Sequence, residues 1–377
     1  MNFMRKEREI AERWFPGLAE RLQAVAFAER EGEDSPVVEI YRDFGGPSLL
    51  VPKAYGGKGA TPAEAVAVHR VLGSLSPSLA IAATMHNFTV AFLAEYALYG
   101  DATKQFLIEI AQADLYLASG FAEGKSGANI LEPLLKGVPS GNGYLVSGVK
   151  KPCSISASMD YLTGSVMLCD EKEQPVQRAI LIVPAKAPGI RREPYWKIRS
   201  LAGAQSAEVK LENVFVSRDN LFVPAANVDL DQVEAGGFMW FELLVTASYL
   251  GIASGVVAKL YEHVRYSAVD RMSILSRLEA AAAALRGLAR DMEQLANAAD
   301  GEAAVANLLL TRYDIQRQLG EASYAAAELL GGIHFLTDPE IEYRLGACAA
   351  LAFHPPSRMS VADAMDTYMK GGALALV

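Results

Sequence analysis

The order in which secondary-structure patterns follow one another constrains this chain of 377 residues more than any single motif. Apolar residues recur at helical spacing, then alternate at strand spacing, then return to helical spacing. Helices, a sheet and further helices in this order are uncommon. We therefore predict an α+β multidomain protein, with a helical domain at 1–115, a small β domain at 116–226 and a helical domain at 227–377.

The first region contains one helix whose start is clearly marked. Thr61 precedes Pro62 in an N-cap position, and Glu64 follows at the third helical position, as in a capping box. These residues predict a helix over Pro62–Leu75. The Pro and Gly content of residues 49–59, LLVPKAYGGKG, predicts a loop before it.

Short alternating or apolar runs, separated by turn residues, mark the middle region as a sandwich or barrel. The predicted strands are Tyr144–Val149, Tyr161–Leu168, Ala179–Val183 and Glu208–Val216. The last region is rich in Ala and Leu, which favours long helices packed as an antiparallel four-helix bundle. Its long segments are 237–266, 274–297 and 302–330, and the last ends at the stop signal Gly331-Gly332.

Composition excludes several classes of protein. The net charge is −9 and the Lys and Arg residues are scattered, so we expect no nucleic-acid partner. The apolar run Leu243–Leu260 contains small and polar residues, and we predict a buried helix there and no membrane partner. The charged N-terminus lacks an apolar signal core, which favours a cytoplasmic location. The three cysteines are widely spaced, so neither a disulfide framework nor a metal site is predicted.

Five motifs in a fixed order resemble those of the acyl-CoA dehydrogenase superfamily, and together they span nearly the whole chain. The matching segments are VPKAYGGKG at 51–59, FAEGKSGAN at 121–129, GYLVSGVKKPCSISASMD at 143–160, PGIRREPYWKIRSLAGAQSAEVKLENVFV at 188–216 and ELLGGIHFLTDPEIEYRLGACAA at 328–350. The resemblance implies the three-domain fold and a bound flavin, FAD, with FMN as the alternative.

The resemblance places the flavin at turns of the β domain. An isoalloxazine ring needs hydrogen-bond donors around its polar edge and an apolar wall on one face. Gly127 and Ala128 would let the backbone approach closely, and Ser154 keeps a hydroxyl for flavin N5 or O4. The positions that match the flavin-binding segments are Phe121, Ala122, Glu123, Gly127, Ala128, Pro152, Cys153 and Ser154. The Cys-Ser pair resembles the flavin-dependent monooxygenase branch of the fold.

A second group of cofactor positions lies in the last region. Arg265 holds the arginine position of a pattern that, in the family, binds the FAD pyrophosphate and adenosine across a subunit interface. A solvated helix charge is the alternative reading of Arg265. Glu328 stands where the family has Gln, before Gly331 and Gly332. The resemblance also implies a homodimer or homotetramer formed through these helices.

The largest departure from the family concerns the catalytic base. Where the dehydrogenases carry Glu, this chain has His354 in FHPPSR, residues 353–358. An imidazole, with an ordinary pKa of about 6.5, suits general acid–base work, and a structural His beside two prolines is the alternative. Glu242, in FMWFELL, is a second candidate base. The monooxygenase branch also implies a pocket role for His86.

Other polar residues are candidates for binding substrate. Asn87 lies beside His86, and Ser357 and Arg358 follow His354. The alternative for His86, which the sequence favours, is a helix-interior histidine satisfied by a neighbour, and the alternative for Arg358 is a solvated arginine at a helix start.

Three functions remain open from the sequence. The resemblance implies a flavin oxidoreductase that oxidises the CH–CH group of an acyl-CoA-like small molecule. The alternative is a reduced-flavin monooxygenase on the same fold, which needs a dry pocket with a His or Ser donor. A second alternative is a flavin-free binding or scaffold relative. The enzymatic readings imply an electron-transfer or flavin reductase partner.

Overall fold

The computed structural model describes residues 1–97, 100–124, 133–223, 230–262, 267–295 and 301–374, and within them seven helices precede the sheet. Their bounds are α1 (Arg5–Trp14), α2 (Leu18–Gln23), α3 (Phe27–Arg30), α4 (Val37–Asp43), α5 (Pro62–Leu75), α6 (Pro77–Tyr96) and α7 (Asp101–Ala113). The capping box of α5 is present, since Thr61 Oγ1 accepts from Glu64 N at 3.3 Å and Thr61 N donates to Glu64 Oε2 at 3.0 Å. The predicted helix Pro62–Leu75 is therefore confirmed.

Eight strands form one mixed sheet in the described chain. They are β1 (Leu117–Ser119), β2 (Lys136–Ser140), β3 (Gly143–Cys153), β4 (Tyr161–Cys169), β5 (Pro175–Pro184), β6 (Ile190–Glu193), β7 (Ala207–Ser217) and β8 (Leu221–Phe222). The strand order is β6-β7-β3-β2-β4-β5-β8, and β1 pairs in parallel with β4. All four predicted strands are confirmed, each within a slightly longer observed strand.

The sheet has a hydrophobic core of its own. Val146 of β3 and Val209 of β7 belong to the same buried cluster as Leu162 of β4 and Leu181 of β5. Because the two pairs of strands lie on different sides of β2 in the strand order, the sheet must curve over this core.

Three long helices and three short ones follow the sheet in the described residues. They are α8 (Leu230–Ala258), α9 (Ala268–Leu295), α10 (Gly301–Leu330), α11 (Gly332–Thr337), α12 (Pro339–Ala349) and α13 (Ala362–Met369). The predicted four-helix bundle stays a prediction; the short α12, and not a fourth long helix, packs on α8 and α10 beside α9. The reason is local: Gly331 at φ +87° ends α10 and Pro339 starts α12 anew.

The helices before and after the sheet share one hydrophobic core. Helices α5 and α8 cross closely, since a Cβ built on Gly73 would be 2.1 Å from the carbonyl oxygen of Ser248 and 3.0 Å from Cα of Gly251. Only glycine permits so close a backbone approach. This crossing fixes α8 against the first helices. The domain boundaries at 115 and 226 are not tested by this packing and remain a prediction.

Two helical segments have the length and apolar character of a membrane span, Pro77–Glu95 in α6 and Ala235–Tyr261 in and just after α8. In the folded chain they are 83% and 89% buried against other parts of the molecule, so they behave as core helices. The predicted buried helix at Leu243–Leu260 is confirmed by this packing.

Candidate active site

A cavity of about 440 Å³ opens where the sheet meets α6, α8 and the segment after α12. Its size falls within the range of about 300–1,000 Å³ that is typical of small-molecule sites. One wall is aromatic and is formed by Phe88 and Phe92 of α6, Phe238 and Phe241 of α8, and Phe121 after β1. The sheet side carries the hydroxyls of Ser119, Ser154, Ser165 and Ser206. The cavity thus combines a largely apolar wall with a small set of polar groups.

The serine hydroxyls have unused hydrogen-bonding capacity. Ser154 Oγ lies 3.0 Å from Ser206 Oγ, and this contact uses only one of the two hydroxyl hydrogens. Ser165 Oγ is buried and has no hydrogen-bond partner in the part of the chain that the structure describes. A buried hydroxyl in this state is costly unless a ligand or water bonds to it. We infer that this side of the cavity is built to receive polar atoms.

Four of the predicted flavin-binding residues line the cavity: Phe121, Ala122, Pro152 and Ser154. Cys153 lies between two of them but belongs to the core of the sheet, where burial raises the pKa of its thiol to about 12. Successive residues of an extended chain point to opposite faces, which explains the separation. The strand alternation of residues 152–154 is the sequence signal that separates Cys153 from its two neighbours.

Glu123 was also predicted to bind the cofactor, yet it lies outside the cavity wall. Its carboxylate accepts from Lys150 Nζ at 2.5 Å and from the backbone N–H groups of Leu134 and Leu135 at 2.8 and 3.2 Å. The geometry therefore assigns Glu123 to holding the backbone that follows β1 against β3. A cofactor would find its carboxylate oxygens already occupied.

The remaining predicted cofactor positions fall into two groups. Gly127, Ala128 and Arg265 lie outside the described residues. Glu328 is exposed near the end of α10, and Gly331 and Gly332 form the turn into α11. Any contact of these three with a cofactor would have to involve a ligand that extends well beyond the cavity.

His354 is the predicted catalytic residue that the structure places at the cavity. Its Nε2 lies 2.8 Å from Tyr249 Oη, and its ring packs against the rings of Tyr249 and Phe241, with centroid distances of 5.4 and 6.1 Å. Burial, reinforced by the nearby positive charge of Arg312, lowers the pKa of His354 to about 3. The imidazole is consequently neutral at physiological pH.

Arg312 holds the segment that carries His354. Its guanidinium donates to the carbonyl oxygens of Leu351, His354 and Pro356 at 2.9, 2.8 and 2.5 Å. Tyr313 Oη donates to the carbonyl of Pro356 at 3.0 Å. Neither Arg312 nor Tyr249 is predicted from the sequence, and the one signal for Arg312 is its charge within an apolar stretch of α10.

Glu242, the second candidate base, is buried behind the cavity wall rather than in it. Its Oε2 lies 3.2 Å from Arg312 Nε, an ion pair whose angles do not meet those of a hydrogen bond. Burial raises the pKa of Glu242 to about 7, and the charge of Arg312 opposes that rise. Glu242 is therefore placed to neutralise the charge of Arg312, and a substrate in the cavity would not contact its carboxylate.

His86 and Asn87 are buried and lie outside the cavity wall. His86 Nδ1 accepts from the backbone N–H of Leu117 at 3.0 Å, which leaves Nε2 to donate to the carbonyl of Pro47 at 2.9 Å. Burial lowers the pKa of His86 to about 4. Asn87 Nδ2 lies 2.9 Å from Nε2 of His69. Both side chains are engaged with the protein itself, which favours the structural alternative for them.

The last two predicted substrate residues also lie away from the cavity. Ser357 bonds to Ser360 in a local turn, with Ser360 N donating to Ser357 Oγ at 3.2 Å, and Arg358 is exposed to solvent. The backbone turns outward after the anchored Pro356, so that these two side chains leave the cavity wall.

No family model matches the chain. It is 43% identical over 378 residues to isobutylamine N-hydroxylase from Streptomyces viridifaciens, with 98% of each chain covered. This chain belongs to the family of that N-hydroxylase. It is also 27% identical over 266 residues to dibenzothiophene monooxygenase from Rhodococcus erythropolis, covering 69% of this chain and 62% of that one.

The fold of this N-hydroxylase relative is found in solved structures as well. KijD3 in complex with FMN and dTDP-3-amino-2,3,6-trideoxy-4-keto-3-methyl-D-glucose has a TM-score of 0.84 at 16% identity, covering 97% of this chain and 94% of that one. The predicted membership of the acyl-CoA dehydrogenase superfamily, in its monooxygenase branch, is confirmed by these similarities. They favour the monooxygenase alternative over the dehydrogenase reading.

Proposed function

We propose that this chain is a reduced-flavin monooxygenase that hydroxylates the nitrogen of a small aliphatic amine. The observation that carries the proposal is the aromatic cavity with neutral His354 on its wall, in a chain so similar to an isobutylamine N-hydroxylase. Nitrogen attacks oxygen through its lone pair, so the amine must be uncharged when it reacts. An apolar cavity favours the uncharged form because it penalises a buried ammonium ion.

The described residues of the cavity fit a flavin ring. The unpaired Ser165 hydroxyl and the Ser154–Ser206 pair supply hydrogen bonds at the sheet side, while the phenylalanines supply an apolar face. When bound, reduced flavin would supply the activation of O₂ that no side chain can provide. FMN and FAD are both compatible with these residues, and the KijD3 complex supports FMN.

The chain's own residues would exclude water and provide a hydrogen-bond donor. The aromatic wall keeps the cavity dry, which protects an activated oxygen from unproductive release. His354 is neutral, so one ring nitrogen can donate a hydrogen bond to an oxygen atom in the cavity while the other nitrogen accepts a hydrogen bond. In this proposal His354 is the catalytic residue, and it occupies the position where the dehydrogenases of the family carry a carboxylate.

Two other functions fit the cavity less well. α-Proton abstraction from a thioester calls for a carboxylate base, and the described residues that line the cavity include no Asp or Glu. In a flavin-free scaffold the buried hydroxyl of Ser165 would cost stability without a ligand to bond to it.

The wider organisation is part of the same proposal. We propose the domains 1–115, 116–226 and 227–377, the middle one a small barrel-like sheet. We also propose a flavin reductase as partner, a cytoplasmic location and a homo-oligomer formed through the C-terminal helices. Ile333 and Leu336 support the oligomer, because these apolar side chains of α11 are 78% and 82% exposed beside Gly331 and Gly332.

The decisive experiment supplies the purified chain with FMN or FAD, a flavin reductase, NADH, O₂ and isobutylamine. We expect an N-alkylhydroxylamine that gains one ¹⁸O atom from ¹⁸O₂, as read by mass spectrometry. A parallel anaerobic sample receives oxidised flavin and an acyl-CoA. If the acyl-CoA bleaches the flavin in the anaerobic sample and the first sample contains no oxygenated amine, the monooxygenase proposal is wrong and a dehydrogenase is supported.

A further inference from the structure

The contact between Tyr249 and His354 determines where the imidazole proton lies. Tyr249 is fully buried on α8, and its Oη lies 2.8 Å from His354 Nε2. In the described part of the chain this is the one hydrogen bond that either side-chain group makes. Burial raises the pKa of Tyr249, so the phenol keeps its hydrogen.

Only two arrangements of hydrogen atoms are compatible with this contact. If His354 Nε2 carried the ring proton, it would donate to Tyr249 Oη and leave the phenol hydrogen buried without an acceptor. If the phenol donates to Nε2 instead, no hydrogen is left over at the contact. The second arrangement avoids the cost of an unmade buried hydrogen bond and places the ring proton on Nδ1.

The other ring nitrogen faces a different environment. His354 lines the cavity, and its Nδ1 has no hydrogen-bond partner among the described residues. The backbone of His354 is fixed by Arg312, which donates to its carbonyl oxygen at 2.8 Å. With the backbone and Nε2 both held, Nδ1 is the group of this ring that remains available to a ligand.

We propose that Tyr249 is a positioning residue that fixes His354 as the Nδ1–H tautomer and so presents an N–H donor to the cavity. In the monooxygenase of the preceding section, this donor would stabilise an oxygen atom that gains negative charge during oxygen transfer. That catalytic meaning rests on the proposed function; the tautomer itself does not.

The tautomer can be measured directly by magic-angle-spinning ¹⁵N spectra of protein labelled at the histidine ring nitrogens. The chain has five histidines, and subtraction of the spectrum of His354→Gln assigns the signals of His354. We expect a protonated Nδ1 and an unprotonated Nε2 in the wild type at pH 7.5. A proton found on Nε2 of the wild type would overturn the proposal without any variant being needed.

Tyr249→Phe removes the phenol donor and tests its role. We expect the Nδ1–H fraction of His354 to fall at least about twofold, because a free imidazole prefers its proton on Nε2. Tyr116→Phe is the matched control, since it removes another buried phenol bond, from Tyr116 Oη to Val38 O at 2.7 Å. The control should leave the His354 signals in place. An unchanged tautomer in Tyr249→Phe would contradict the assignment.

Kinetics provide the second readout. With an amine that the wild type oxygenates, we expect kcat of Tyr249→Phe to fall roughly tenfold with KM within about twofold, because the donor acts in the transition state. An equal loss in Tyr116→Phe would mean that only packing is affected and would sink the positioning role. If the wild type oxygenates no amine, the proposed function fails, while the spectra still decide the tautomer.

Discussion

Arg312 donates to the carbonyl oxygen of His354 at 2.8 Å while its Nε lies 3.2 Å from the carboxylate of Glu242. One fully buried guanidinium therefore connects the cavity residue to α8. The ion pair lies behind the cavity wall and does not contact a substrate. Its role is structural, since Arg312 fixes the backbone of His354.

Replacing Arg312 tests how much its contacts with Glu242 and the three carbonyl groups stabilise the fold. Arg312→Met leaves Glu242 buried without a counter-ion and frees three carbonyl groups, so we expect a loss of about 3–5 kcal/mol in the free energy of unfolding. Urea denaturation at pH 7 measures it. The double variant Arg312→Met/Glu242→Leu should recover at least about half of that loss. A double variant no more stable than the single one would show that the carboxylate is not the source of the cost.

The raised pKa of Glu242 predicts a pH dependence with a definite sign. Its pKa is about 7 in the fold and about 4.5 when unfolded, so between these values the native state binds the extra proton. Stability must then fall as pH rises from about 4.5 to 7, by an amount of about 3 kcal/mol from this group. Denaturation curves of Glu242→Gln over that range should lack this contribution. A wild type and variant with parallel pH profiles would refute the shifted pKa.

The half-buried His354 and the fully buried His86 should behave in opposite ways when replaced. His354→Gln is expected to lower kcat by about 10²–10³-fold, because the loss of a preorganised hydrogen-bond donor to developing negative charge has an effect of that size. His86→Gln cannot keep both of its bonds, to Pro47 and Leu117, and should lower the free energy of unfolding by about 2–4 kcal/mol. Its kcat, measured well below the melting temperature, should stay within about twofold. A large loss of kcat in His86→Gln would restore His86 to the catalytic residues.

The parts of the structure that the sequence predicted are those that local chemistry decides. The capping residues Thr61 and Glu64 act within one turn, so α5 was predicted to the residue. Side chains that face the cavity from distant elements carry no such local mark. Ser165 lies on a central strand, and the bond between Tyr249 and His354 joins residues 105 positions apart. His354 was found only because the family comparison gave its position a meaning.

A pair of glycines in helices tests the crossing of α5 and α8. Gly73→Ala would drive a Cβ to within 2.1 Å of the carbonyl of Ser248, and we expect a loss of about 2–3 kcal/mol in the free energy of unfolding. Gly287→Ala in α9 meets no atom within 4 Å and should instead gain up to about 1 kcal/mol from helix propensity. Thermal and urea denaturation compare them. Equal effects of the two substitutions would mean that the backbones are not in contact.

The unpaired hydroxyl of Ser165 gives a prediction about the cofactor that needs no turnover. Ser165→Ala removes an oxygen that has no partner in the described chain, so the stability of the flavin-free protein should change by less than about 0.5 kcal/mol. If that hydroxyl bonds to the flavin, the dissociation constant of FMN or FAD should rise about five- to tenfold, as measured by quenching of flavin fluorescence.

Thr163→Val is the matched control on the same strand. Thr163 Oγ1 donates to the carbonyl of Ala118 at 3.0 Å and does not line the cavity. Its replacement should cost about 1–2 kcal/mol of stability and leave flavin affinity unchanged. The opposite pattern, in which Ser165→Ala destabilises the protein and binds flavin as tightly as the wild type, would place the ring elsewhere. The serine side of the cavity would then have to be assigned to substrate.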